Sequence, residues 1–162
     1  MNRMLRKTRA GFTIIEMLIV IAVAGILGTI GVGYMISAKP HSELEGAELA
    51  LSTTLNQARN LAQSEEVAAK VVFDLTTGEY WIERLDRDSG SWVAETAHTT
   101  LPGAVTFASG GITFSGDEVR FTPRGTLMSG GSITLSSSTG EESTLDGQVA
   151  TGRFMPGGGH TR

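Results

Sequence analysis

Histidines, acids and serines are where chemistry would first show. His41, His98 and His160 are scattered along the 162 residues. None has the i, i+4 spacing of a helical metal pair, and none has an evident acid partner. They read as solvent-exposed side chains. Asp86-Arg87-Asp88-Ser89-Gly90 begins like a calcium loop. The closing Glu of the roughly twelve-residue frame is missing, and Glu95 comes too early, so the stretch reads as a polar hairpin turn. The serines at Ser136–Ser138 lack a Gly-x-Ser-x-Gly setting and read as turn or edge-strand residues. There is no cysteine, hence no disulfide, thiolate metal site or thiol nucleophile. No catalytic residue, metal site or cofactor site emerges, and the chain reads as a non-enzyme.

Glu16 is different. It stands at the mouth of an apolar run, after a block in which Arg3, Arg6, Lys7 and Arg9 face no acid. From Met17 to Ile36 there is no charge. Helix from Phe12 to Ile36 would reach roughly 37 Å, enough for a hydrocarbon core of about 30 Å with some tilt. The positive-inside rule then puts residues 1–11 in the cytoplasm and the chain after Lys39 on the far side. A cleaved secretory signal fits poorly, because Ile36 stands where a small residue is wanted. An acid near a bilayer centre costs about 2.5–3.5 kcal/mol on insertion scales. Glu16 can snorkel to the interface. If the chain is cut after Gly11, Phe12 gains a free amine one helical turn away, and amine and carboxylate can neutralise each other. Glycine at position 11 lets a protease approach the backbone closely.

Gly11-Phe12-Thr13-Ile14-Ile15-Glu16-Met17-Leu18-Ile19-Val20 resembles the processing signal of type IV pilins and type II secretion pseudopilins. The resemblance implies cleavage between Gly11 and Phe12 by a prepilin peptidase and N-methylation of Phe12. It also implies that Glu16 meets the amine of an adjacent subunit as helices stack into a filament.

These residues need elements to carry them. Gly25, Gly28, Gly31 and Gly33 permit close helix packing in a membrane. Pro40 should bend or break the helix. Beyond it Leu44, Ala47, Leu51, Leu55, Ala58 and Ala62 recur at three- and four-residue steps, an amphipathic stripe that predicts a helix over 42–66 packed on a sheet. From Val67 the character is β. Val71–Leu75 and Tyr80–Leu85 flank the hairpin signal Thr76-Thr77-Gly78-Glu79. Further strands are expected at Trp92–Ala94, Ala104–Phe107, Ile112–Phe114, Glu118–Phe121, Ser132–Leu135 and Gln148–Phe154. The expected fold is α+β, a long N-terminal helix packed on an antiparallel β domain. Its divisions are a leader (1–11), a transmembrane and filament-core helix (12–38), the amphipathic helix (42–66), a periplasmic β domain (67–154) and a flexible tail (155–162).

Leu101-Pro102-Gly103-Ala104-Val105, then Val119-Arg120-Phe121-Thr122-Pro123-Arg124-Gly125, then Ser132-Ile133-Thr134-Leu135 is similar to the type II secretion protein H (GspH/FimT) family. That resemblance implies a minor pseudopilin of the inner membrane. Its partners would be other pseudopilins, the prepilin peptidase and the inner-membrane assembly platform. The alternative is a minor type IV pilin acting in adhesion, twitching or DNA uptake. Some FimT-like pilins take up DNA through a C-terminal Gly-Arg-x-Arg motif. Here Gly152 and Arg153 match, but Met155 stands where the second Arg would be, with only His160 and Arg162 beyond. After residue 11, nine basic side chains face seventeen acidic ones, a net charge of −8. That charge disfavours contact with DNA.

Overall fold

The computed structural model describes residues 13–157, except the side chains of residues 28–38. The chain divides into two compact units, residues 1–38 and 39–162. The expected leader and the cut between Gly11 and Phe12 lie outside the described residues, as do His160 and Arg162. One helix, α1 (Ile14–Ser64), begins in the first unit and ends in the second. Among the described residues no helix is long and apolar enough to cross a membrane. The expected span runs on through residues 28–38, whose side chains are not described.

Pro40 lies inside α1, so the expected break is absent. An interior proline costs about 3 kcal/mol through a lost hydrogen bond and a clash. Lys39–Glu43 (3.7 Å) and His41–Glu45 (3.3 Å) pair across that turn, and such pairs add a few tenths of a kcal/mol each. Just beyond, all six stripe residues from Leu44 to Ala62 are buried, and this packing holds the helix through the defect. Helix ends two residues before the expected Glu66. Glu66 adopts a left-handed backbone (φ 53°), and the Arg87 guanidinium donates to the Glu65 carbonyl. That contact satisfies a terminal carbonyl and brings a cation to the negative end of the helix dipole.

Nine strands follow: β1 (Ala69–Asp74), β2 (Glu79–Leu85), β3 (Trp92–Ala94), β4 (Thr99–Thr100), β5 (Thr106–Ile112), β6 (Glu118–Phe121), β7 (Gly131–Ser136), β8 (Glu142–Gln148) and β9 (Arg153–Pro156). They form two antiparallel sheets, β3-β2-β1-β6 with β4 also on β2, and β5-β7-β8-β9. Alternation sets the inner faces: Ala69, Val71 and Phe73 of β1, Tyr80 and Ile82 of β2, Ile133 and Leu135 of β7 are buried. They form one core with the α1 stripe. Phe107 of β5 meets Phe73 of β1 edge-on at 5.3 Å, joining the sheets.

Three strand expectations change. One strand, β5 (Thr106–Ile112), takes the end of the expected 104–107 and the start of the expected 112–114, leaves residues 104–105 and 113–114 outside it, and shifts register with β7 between Phe107 and Ile112. The expected strand Gln148–Phe154 is interrupted: Gln148 ends β8, Arg153 and Phe154 begin β9, and residues 149–152 turn between them, closed by the Gly152 N–H donating to the Gln148 carbonyl at 2.8 Å. Met155 and Pro156, expected in a flexible tail, lie in β9, where they pair with Asp146 and Leu145. Two strands, β4 and β8, were not expected at all.

Candidate functional site

The N-terminal end of α1 is built by Thr13. Its carbonyl accepts from the N–H groups of Glu16 (3.1 Å) and Met17 (3.2 Å), and its Oγ1 accepts from Glu16 N–H at 3.3 Å. Thr13 is therefore the N-cap and Glu16 the third helical residue, where a carboxylate is favoured by the helix dipole. The Thr-x-x-Glu spacing of a capping box carries this in the sequence, but the cap was not among the expected site residues. Ile14, Leu18 and Ile21 around Glu16 are 84, 61 and 67 % exposed within the chain.

In the second unit the Phe-x-Pro-x-Gly stretch folds back on α1. Phe121 is fully buried. After it Thr122 and Thr126 close a turn through their hydroxyls at 2.7 Å. Arg59 Nε donates to the Gly125 carbonyl (3.1 Å) and Gln63 Nε2 to the Arg124 carbonyl (3.0 Å). Gly152 seats on the same point. A Cβ there would lie 1.9 Å from the Gly125 oxygen, and its φ is +63°. The Gly-Arg pair at 152–153 thus has a packing reason for its glycine, while Arg153 is exposed at the start of β9. Helix, turn and hairpin so bring Arg59, Arg124 and Arg153 to one end of the unit.

The opposite end is acidic. His41 pairs with Glu45 on its own helix and with Glu141 of the β7–β8 turn (3.7 Å). Glu48 accepts from the buried Ser143 hydroxyl at 2.8 Å. Glu43 pairs with Lys39 and accepts from the Ala104 N–H. The expectation that the histidines lack acid partners is overturned twice, because His98 also stacks on Trp81 (4.0 Å) and contacts Glu79 at 3.1 Å. The His41–Glu141 and His98–Glu79 contacts cross between segments remote in sequence, which spacing alone does not reveal, whereas His41–Glu45 is an i, i+4 pair within α1.

On the outer face of the first sheet Lys70 bridges Glu83 (3.1 Å) and Glu118 (2.9 Å) beneath Trp92. Burial would raise the Glu118 pKa, but hydrogen bonds and charge from Lys70 and Arg120 outweigh it and hold the carboxyl below its usual range. Asp86, the head of the expected polar turn, accepts from the Ser89 hydroxyl (2.7 Å) and backbone, which lowers its pKa. Among the described residues no group of three His, Cys, Asp or Glu side chains could hold a metal ion. Thr53, Asn56, Gln57, Asn60, Leu61 and Ser64 line a shallow groove along α1.

A long helix packed on antiparallel sheets, led by an apolar segment with one acid, defines a pilin-like subunit. Residues 6–32 match the prokaryotic N-terminal methylation motif and residues 49–151 match the type II transport protein GspH. The chain belongs to the GspH family. Among solved structures it is similar to the minor pseudopilin EpsH of the Vibrio cholerae type 2 secretion system (TM-score 0.55, 16 % identity, covering 72 % of this chain and 99 % of that one). It is also similar to the Pseudomonas aeruginosa type IV minor pilin FimU (TM-score 0.57, 21 % identity, 72 % and 90 % covered). No curated protein matches. Pseudopilins and pilins assemble into filaments, and the family is one of structural subunits.

Proposed function

We propose that this chain is a minor pseudopilin, a non-enzymatic subunit of the periplasmic pseudopilus of a type II secretion system. The observation that carries the reading is the GspH match over residues 49–151 behind a methylation motif at 6–32. In this reading residues 1–11 are a cytoplasmic leader. A prepilin peptidase cuts between Gly11 and Phe12, and Phe12 is N-methylated. Residues 12–38 anchor the subunit as a single pass of the inner membrane, with the domain from Lys39 onward in the periplasm. An assembly platform then lifts it into a filament with other pseudopilins. Glu16, placed at the helix start where its backbone N–H donates to Thr13 Oγ1, meets the amine of a neighbour, and this neutralisation lowers the cost of its apolar surroundings.

Intact mass of the membrane-extracted protein tests the processing. The expected species begins at a methylated Phe12, and Gly11→Ile keeps residues 1–11. A mature mass unchanged by Gly11→Ile overturns the assigned cut. Glu16→Ala should be trimmed normally but enter filaments poorly, and normal incorporation would sink the Glu16 role. A minor type IV pilin is the second reading, favoured by the likeness to FimU. Deletion of the gene separates the two: the first loses protein secretion and the second loses pili or DNA uptake.

A further inference from the structure

Both tryptophans of the chain lie on the outer face of the first sheet. Tyr80 and Ile82 of β2 are buried, so Trp81 between them points outward. Trp92 of β3 lies over the Lys70 ammonium (4.7 Å) and the Arg120 guanidinium (5.8 Å). Neither indole is fully buried. Lys70 stands across the sheet from both Glu83 and Arg120. It pairs with Glu83 and Glu118, and Arg120 pairs with Glu118. Two cations thus meet two anions, and the formal sum is zero. The Lys70 and Glu118 side chains are only 12 and 10 % exposed, whereas Arg120 is 45 % exposed. A partly buried network of this kind stabilises a fold no better than well-packed apolar side chains, so stability alone does not account for it.

Beside the network opens a cavity of about 310 Å³ lined by Ser115, Gly116, Glu118, Arg120, Met128 and Ser129. Arg120 therefore borders both the Trp92 ring and the cavity. One wall is a fixed turn. Asp117 takes a left-handed backbone (φ 50°), and its carbonyl accepts from the Phe73 N–H at 3.0 Å. The other wall is held by the Met128 N–H, which donates to the Arg120 carbonyl at 3.0 Å. With the Phe121–Leu127 bridge, that bond occupies the outer edge of β6, so an extended peptide has no strand edge to join there.

The chemistry of the cavity is mixed. The Arg120 guanidinium donates, the Glu118 carboxylate accepts, and the two serine hydroxyls do both. Met128, 60 % exposed, and the open part of Trp92 add apolar surface. A network of zero formal charge gives no field to favour a phosphate or a metal ion. A sugar ring carries the matching mixture, with hydroxyls that donate and accept around its rim and C–H groups on its faces. We propose that this face binds a neutral glycan, one ring lying against Trp92 and the next placing its hydroxyls between Arg120, Glu118 and the two serines. Every residue of the site lies in the second unit, and the site does not depend on the pseudopilin reading.

Full-length protein in phosphatidylcholine nanodiscs, which present no sugar, is titrated with chitotetraose, maltotetraose and inorganic phosphate. Binding is read by saturation-transfer NMR of the ligand, and by the emission of Trp92 alone in a Trp81→Phe background. The expected result is saturable binding of a neutral tetramer with a dissociation constant on the order of 1 mM. Arg120→Met keeps an apolar stem but removes the donors, and should weaken binding about tenfold or more. Trp92→Leu removes the flat aromatic surface and should also weaken it about tenfold. Ser115→Ala with Ser129→Ala leaves the charge network whole and should weaken binding about fivefold. That pair tests the cavity even where a variant of the network fails to fold. No saturable binding of either tetramer up to about 10 mM overturns the site. So does binding indifferent to both Arg120→Met and the double serine variant. Displacement of the tetramer by phosphate would mark an anion site and overturn the neutral-glycan assignment.

Discussion

The apolar residues at the two ends of α1 have opposite fates. Ile14, Leu18 and Ile21 are largely exposed, while Leu44, Leu51 and Leu55 are at most 3 % exposed. Both sets are aliphatic and both lie on helix, so residue type does not separate them. What separates them is a partner within the chain: the second set has two sheets to cover it, and the first has none that the described residues supply. A buried leucine contributes about 1.5–3 kcal/mol over an exposed one. The second region thus holds the stability of the subunit, and the first leaves its apolar surface uncovered by the described residues.

That division is broken most severely at a glycine. Gly152→Ala places a methyl against the Gly125 carbonyl and forces a non-glycine residue into a left-handed backbone. The strain and the required backbone shift should cost about 4 kcal/mol, read as a lower urea midpoint of the full chain in mild detergent. Gly25, within the first region, meets nothing within 4 Å, and Gly25→Ala should leave the midpoint in place. A matching loss for both would erase the distinction.

A truncated leucine gives the next largest effect. Leu55→Ala opens a void in the core and should cost about 3 kcal/mol, within the range of such truncations. Leu18→Ala should leave the urea midpoint unchanged. Equal shifts would mean that residues 14–27 pack as part of the folded core.

The same division explains what could be read in the sequence. The 3.6-residue period from Leu44 to Ala62 marked the core face of α1, because burial on one side leaves a regular trace. The Asp74–Glu79 hairpin was visible too, its Asp74 carboxylate accepting from the Thr76 and Thr77 N–H groups. β8 was not visible. Glu142-Ser143-Thr144-Leu145-Asp146-Gly147-Gln148 buries only Ser143 and Leu145, too thin a pattern to read as strand, and it is held by pairing with β7 and β9 on both sides. The Gly11-to-Val20 pattern was legible from residue identities alone, and it falls within the methylation-motif match over residues 6–32. The two charged ends were hidden because each gathers residues scores of positions apart.

Acid titration probes the second region more gently. Glu118 has its pKa lowered on folding, so its stabilising contribution is complete above the unfolded value, about 4.3. The contribution is lost as pH falls through the lower folded value. Glu118→Gln should cost about 1 kcal/mol at neutral pH and make stability fall less steeply below about pH 4. Urea titrations across that range read both. An unchanged acid limb would mean that Lys70 and Arg120 do not hold the carboxylate in solution.

The smallest effect falls on the first region and tests its independence. Thr13→Ala removes the side-chain acceptor for the Glu16 N–H, a loss worth about 1 kcal/mol of local helix stability. Amide exchange at Glu16 and Met17 should then quicken about fivefold, the same free energy expressed as an opening ratio. The urea midpoint should not move, because the cap supports a helix end whose apolar neighbours lie outside the core. A midpoint shift accompanying the faster exchange would show that the start of α1 stabilises the domain. Faster exchange alone keeps the cap where the pseudopilin reading needs it, fixing Glu16 at the helix start while leaving the fold of the second region untouched.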